Sequence, residues 1–224
     1  MAIDFTLTPE LEEIRLRIRT FVDDVIKPAE AKLEGGENGE PLEGKERTEI
    51  LIQLRKQAHK EGIWLPHMPE EWGGMGLGHV ELAMVQAEAA KSYYGPWVLN
   101  CQAPDEGNMH TLLHWGTDEQ LDKYLKPLCE GRATSCFAMT EPEVAGSDPT
   151  LIQTSGYEDG DEWVITGHKW FISNAHRANF AILIVRTEEN PDIPQAGNSA
   201  FIICLLYTSP STRDISTSRM PSSA

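Results

Sequence analysis

Apolar residues in the first half of the chain recur every three or four positions, and in the second half every two. Leu11, Ile14, Ile18, Phe21, Val22 and Val25 trace the first helical stripe, with Thr8 placed to cap it and Pro9 suited to its first turn. Pro28 is expected to end that helix. Ile50, Leu51, Leu54 and Ala58 predict a second helix closed by Gly62. The alanine-rich residues 80–90 predict a compact buried helix, and another should end near Trp115 and Gly116. TDEQ at 117–120 has the spacing of a capping box, with Leu121, Tyr124, Leu125 and Leu128 as the apolar face that follows.

The period shortens after Gly131. ATSCFAMT (133–140) alternates as a strand does. GYE and EWVIT predict a hairpin turning at Asp159, Gly160 and Asp161, with KWFIS (169–173) as a further strand beyond Gly167. FAILIVRT (180–187) and SAFIIC (199–204) add two more. Helices gathered first and strands second predict an α+β protein, with an α-helical domain over 1–131 and a small antiparallel β domain over 132–204. The end, LLYTSPSTRDISTSRMPSSA (205–224), is rich in Ser, Thr and Pro and offers little to bury. It is expected to be a disordered tail, and its wording resembles translated vector sequence, so native sequence is expected to stop near Cys204.

Charge removes two classes of partner. With 35 Asp and Glu against 19 Lys and Arg, the formal charge is −16. Such a balance repels nucleic acid and anionic membrane surfaces. No apolar run reaches the ~18 residues that a spanning helix needs, and MAIDFTLTPELEE has neither the basic nor the apolar region of a secretory signal. A cytoplasmic location is expected, or a mitochondrial or peroxisomal one in a eukaryote. Cys101, Cys129, Cys136 and Cys204 lack C-x-x-C spacing and read as reduced thiols.

Few motifs point to chemistry by themselves. His110 and His114 in HTLLH would share a helix face, but Thr follows His110 where the zinc-protease pattern has Glu, so no metal site is assigned. GGMGLGH (73–79) lacks the G-x-G-x-x-G spacing of a dinucleotide turn. Ser147 lies outside a G-x-S-x-G elbow. TEPEVAGSD (140–148) leaves two readings open. It can be a turn built on Pro142, Gly146 and Asp148, or an anion cradle in which Gly146 lets backbone N–H groups approach a pyrophosphate and Ser147 adds a hydroxyl.

Two segments taken together resemble the paired flavin-site motifs of the acyl-CoA dehydrogenase family: FAMTEPEVAGSD (137–148) and GYEDGDEWVITGHKWFISNA (156–175). PEEWGGMGLG and GTDEQLDKYLKPLCEG are similar to family wording at matching positions, and the likeness runs from about Phe5 to Cys204. APDEGNM followed by FAMTEPEVAGSD is most similar to the branch holding the human family members ten and eleven and their bacterial relatives.

The resemblance implies FAD as cofactor. Phe137, Ala138, Met139 and Thr140 would border the flavin ring, Gly146 and Ser147 would lie by the pyrophosphate, and Ser147 would also lie near the acyl-CoA. Phe171 would pack on the ring face opposite the substrate, with Ile172 beside it and Ser173 donating toward the ring nitrogen N5. Glu141 and Glu143 are taken as loop carboxylates. One residue more than the commonest pattern separates Glu141 from Gly146, and Phe171 stands where well-known members carry Trp. The implied reaction is oxidation of an acyl-CoA thioester to the trans-2-enoyl-CoA, with electrons passing to an electron-transfer flavoprotein-type acceptor and a homo-oligomer at full length. The base that removes the α-proton would lie in a C-terminal four-helix domain missing here, so no catalytic residue is assigned. An oxidase-like relative or an inactive binding fragment is the alternative.

Overall fold

Thr8 opens the first helix. Its hydroxyl accepts the Leu11 amide at 3.3 Å, and Pro9 occupies the first turn of α1 (Pro9–Phe21), where helix amides lack an intrahelical acceptor in any case. The computed structural model describes residues 7–36, 39–188, 197–205 and, as backbone alone, 217–221. The chain divides into two compact units, Met1–Glu106 and Gly107–Ala224.

In the first unit the helix does not end at Pro28. A single π-turn (Val22–Ile26) leads into α2 (Lys27–Leu33), with the Lys27 amide reaching back five residues to the Val22 carbonyl. A proline ring in a regular helix collides with the carbonyl four residues before it, and a widened turn moves that carbonyl aside. The second unit repeats the device, with a π-turn at Leu121–Leu125 preceding Pro127 in the short α8 (Lys126–Cys129). α3 (Gly44–Lys60) buries Leu54 and Ala58, and Gly62 follows it at φ +64°.

α4 (His79–Ala89) packs on α1 but buries only Val85, Glu88 and Ala89, and Val80 is 59% exposed. The expected buried helix is thus half-exposed, because its small apolar residues spread round all sides while only one side is covered. Glu88 is the unusual buried group. Arg15, Arg19 and Lys91 approach it at 2.7, 2.8 and 2.5 Å. Burial pushes its carboxyl up, but hydrogen bonds from the three cations outweigh that and hold it down at about 2.

The first unit also holds α5 (Gly95–Val98), and the second carries α6 (Asp105–Trp115) beyond its first residues and then α7 (Asp118–Gln120). The expected capping box is present, with Gln120 Oε1 accepting the Thr117 amide at 3.0 Å and Thr117 Oγ1 accepting the Gln120 amide at 3.3 Å. The sheet comprises β1 (Ser135–Ala138), β2 (Ser155–Asp159), β3 (Glu162–Thr166), β4 (Phe180–Arg186), β5 (Asn198–Cys204) and β6 (Thr217–Pro221). β4 is its spine, with β5 running antiparallel along its full length. On its other side β1 pairs in parallel from Ser135↔Phe180 to Ala138↔Leu183, and β2 joins at Ser155↔Arg186. The β2–β3 hairpin is antiparallel, as is the pairing of β3 with β6.

The α+β class is the expected one, whereas the expected antiparallel pairing is corrected to a mixed sheet. β1 and β4 run parallel because, after the β2–β3 hairpin returns to the level of Ser155, residues 167–179 run back as irregular chain to the start of β1, where the Asn179 amide donates to Thr134 O at 2.8 Å. Cys136, Ala138, Leu183, Val185 and Ile203 build the core on one face, and Tyr124 packs on Phe180 with ring centroids 5.0 Å apart. Of the segment expected to be a disordered tail, the backbone of Thr217–Pro221 forms β6, while 206–216 and 222–224 lie outside the described residues.

Burial pushes the Cys101 and Cys129 thiols up to about 12, and no disulfide forms among the described residues. No helix among them is long and apolar enough to cross a membrane.

Candidate functional site

β1 leaves the sheet at Ala138, and the chain returns to the same side of β4 at Ser155. The excursion between them is the TEPEVAGSD loop. Asp148 shapes its far limb as a turn residue, its Oδ1 accepting the Thr150 amide at 3.0 Å and the Thr150 hydroxyl at 2.6 Å. Those bonds hold the Asp148 carboxyl below its ordinary value. Arg186 on β4 pins the returning limb, donating from Nε to Ile152 O at 3.0 Å and from Nη2 to Thr150 O at 2.7 Å.

KWFIS does not form the expected strand. It passes beside the end of β1 as irregular chain, and its hydrogen bonds run to the first segment rather than to a neighbouring strand. The Trp170 amide donates to Thr140 O at 3.1 Å, and the Thr140 hydroxyl donates to Trp170 O at 2.6 Å. Lys169 Nζ donates to Met139 O at 2.9 Å and to Glu141 Oε1 at 2.7 Å. Further along, Asn174 Nδ2 donates to Ser135 O at 2.8 Å, and the Thr134 amide to Asn179 Oδ1 at 2.9 Å. These bonds lace residues 134–141 to residues 169–179. Its burial does not alternate as a strand's would, since Lys169 is buried while Trp170, Phe171 and Ser173 are all exposed.

Two non-glycine residues in this second segment have left-handed backbone, Phe171 at φ +51° and Asn174 at φ +72°. Asn tolerates that region, whereas for a bulky aromatic it is strained. The Phe171 ring is 83% exposed and lies against Trp170, with centroids 4.4 Å apart and planes tilted by 34°. Nothing among the described residues covers it.

The other residues singled out by sequence fall into three groups. Phe137 is partly exposed, and Thr140 has given its hydroxyl hydrogen to Trp170 O, so its oxygen remains as an acceptor. Ala138 is fully buried and Ile172 packs into the sheet core, so the side chains of both are structural and only their backbone is available. Met139 is half-buried, with its carbonyl engaged by Lys169. Gly146, Ser147 and Ser173 are exposed, and the Gly146 and Ser147 amides have no acceptor among the described residues. Gly146 has no left-handed φ but lies close to Thr140, where a Cβ would make a tight 3.1 Å contact with Cγ2.

Two groups went unrecognised in the sequence. Asn108 on α6 is buried and donates to Ser135 Oγ at 2.8 Å and Cys136 O at 3.2 Å, fixing the start of β1. The second is the ion pair of Glu141 and Lys169, both almost fully buried. Burial pushes the Glu141 carboxyl up, but Lys169 and the amides of Gln153 and Thr154 outweigh it and hold the carboxyl below its ordinary value. Burial also draws the Lys169 ammonium down against the pull of Glu141. The carboxylate has three donors and settles the pair as ionic. A lysine set among Trp, Phe and Ile was the available signal.

An α-helical portion followed by a mixed sheet, with two laced loops at the end of β1, has a close counterpart among known proteins. The family pattern "Acyl-CoA dehydrogenase, N-terminal domain" matches residues 8–132, and "Acyl-CoA dehydrogenase, middle domain" matches 136–221. The chain belongs to the acyl-CoA dehydrogenase family. It is 38% identical over 190 residues to acyl-CoA dehydrogenase family member 11 of Homo sapiens, covering 82% of this chain and 24% of that protein. With the Gallus gallus protein of the same name it shares 38% over 176 residues, 78% of this chain and 22% of the relative. A solved structure from Mycobacterium abscessus, named as a candidate acyl-CoA dehydrogenase, superposes with a TM-score of 0.80 at 27% identity, covering 97% of this chain and 60% of that one. The chain therefore spans about a quarter of the length of these curated relatives.

Proposed function

We propose that the protein this chain represents oxidises an acyl-CoA thioester to the trans-2-enoyl-CoA with FAD as its redox group. Phe171 carries the reading. Its exposed ring stands on left-handed backbone and is pinned on both sides, by the Trp170–Thr140 bonds and by Asn174 on Ser135. Backbone strain of this kind persists only where the surroundings over-determine it, and a firmly held exposed aromatic suits a flat apolar partner. The unengaged amides of Gly146 and Ser147 suit a pyrophosphate.

In this reading Phe171 packs on the flavin ring. Phe137 and Thr140 border it with side chains, Ala138 and Met139 with backbone, and Ser173 offers a hydroxyl at the ring edge. Ile172 anchors the loop in the sheet so that Phe171 keeps its place. Gly146 and Ser147 hold the pyrophosphate, and Ser147 also meets the acyl-CoA. Bound FAD supplies the hydride acceptor. The thioester acidifies the α-hydrogen, and holding the acyl chain beside the ring supplies the proximity contribution. Glu141 is committed to Lys169 and two amides and is not assigned to proton removal. That base belongs to sequence outside this chain, and an electron-transfer flavoprotein takes the electrons onward. The complete protein is a homo-oligomer in this account.

Anaerobic mixing of the complete gene product with an acyl-CoA tests the reaction. Bleaching of the flavin band with enoyl-CoA formed in equal amount is expected, with slow reoxidation in oxygen. Fast reoxidation by oxygen alone would assign an oxidase instead, and no bleaching with any acyl-CoA would refute the dehydrogenation.

A further inference from the structure

The Glu141–Lys169 pair is adjacent in sequence to the clasp between the two segments, since Glu141 follows Thr140 and Lys169 precedes Trp170. Its side chains are 4% and 2% exposed, so neither is open to a ligand lying over the exposed Phe171 ring. Yet the pair reaches backbone on three sides. Lys169 Nζ holds the Met139 carbonyl at 2.9 Å, Glu141 Oε2 holds the Gln153 amide at 2.7 Å, and Glu141 Oε1 holds the Thr154 amide at 2.9 Å as well as Lys169. It thus ties the exit of the TEPEVAGSD loop, its return and the Phe171 loop to one point.

Stability alone is a poor reason to keep such a pair. Two apolar side chains of similar volume often do as well in a protein interior, because an ion pair must first be stripped of water. What the charges add is fixed geometry, since a carboxylate with three donors has one arrangement in which all are satisfied. Gly167 keeps the approach short. A Cβ there would stand 2.2 Å from Thr154 Oγ1, so only glycine allows the chain bearing Lys169 to close over Thr154.

We propose that Glu141 and Lys169 are positioning residues for the flavin site, an ionic lock that sets the distance between the loop presenting Gly146 and Ser147 and the loop presenting Phe171. This rests on the flavin reading above. The lock acts through the Met139 carbonyl and the Phe171 backbone, and its signature is a loss of FAD affinity that does not follow stability.

The test uses the complete gene product stripped of flavin and titrated with FAD, comparing wild type, Lys169→Met, and Lys169→Met combined with Glu141→Gln. The single variant leaves a buried unpaired carboxylate and should lose both stability and affinity. The double variant removes that charge and should recover most of the melting temperature, while its Kd for FAD stays about tenfold or more above wild type and the visible circular dichroism of the bound flavin is altered. A purely structural pair would instead recover binding along with stability, and a double variant with wild-type Kd and dichroism overturns the proposal. So does a double variant that fails to fold. A wild type that takes up no FAD overturns the flavin reading itself and the proposal with it, which separates the two failures.

Discussion

Thr140 and Trp170 hold each other by two hydrogen bonds of opposite direction, the Trp170 amide giving to Thr140 O at 3.1 Å and the Thr140 hydroxyl giving to Trp170 O at 2.6 Å. Thirty positions apart in sequence, they join the end of β1 to the loop that carries Phe171. Thr140→Val keeps the backbone bond and removes the side-chain one. A loss of about 1 kcal/mol is expected for a neutral hydrogen bond at a solvent-exposed position. Urea denaturation of Thr140→Val against Thr140→Ser, which should stay near wild type, measures it.

Phe171 should trade stability against binding. Glycine at its φ of +51° relieves the steric penalty of a left-handed side chain, and an 83% exposed ring contributes little packing. Phe171→Gly is therefore expected to leave the melting temperature unchanged or to stabilise by up to about 1 kcal/mol, while FAD affinity falls. Stability and affinity that fall together would mark Phe171 as an ordinary packing residue.

Gly167→Ala is expected to destabilise by about 2 kcal/mol. The added methyl would stand 2.2 Å from Thr154 Oγ1 and 2.5 Å from Thr154 Cβ, so the backbone must move apart. Thermal unfolding reports the loss, and amide exchange at Gln153 and Thr154, both held by Glu141, should quicken with it.

Acid should weaken the first unit through Glu88. Its folded value of about 2 lies below the ordinary 4.5, so the stability it contributes is present above pH 4.5 and lost as pH falls toward 2. The contribution is on the order of 2 kcal/mol, below the full worth of the shift because Arg19 and Lys91 reach solvent. Urea midpoints from pH 6 downward should fall for wild type and fall less for Glu88→Gln. Glu141, also held low, adds loss in the same direction, so the variant's curve flattens without becoming level.

Local chemistry was readable in the sequence because it involves neighbours. Thr8 and Pro9 predicted the start of α1, TDEQ predicted its capping box, and alternation located β1 through β5. Pro28 misled because a proline's effect depends on the turn before it, and one wider turn lets the helix continue to Leu33. KWFIS misled because a strand is defined by its pairing and not by alternation. Its bonds run to Thr140, Met139 and Glu141, and its left-handed Phe171 has no periodic signature. The Glu141–Lys169 pair was hidden for the same reason, since two residues 28 apart meet only once β1 and β4 are in register. The resemblance nominated residues for the candidate site, and the structure shows which bonds hold their segments.

The flavin assignment requires that residues 137–147 and 169–174 together form a seat for FAD. The direct measurement is flavin retained through gel filtration after the stripped complete protein is incubated with FAD. Flavin co-eluting in proportion to protein, and largely lost in Phe171→Ala, is the predicted result. A colourless protein that keeps none of the added FAD would contradict it.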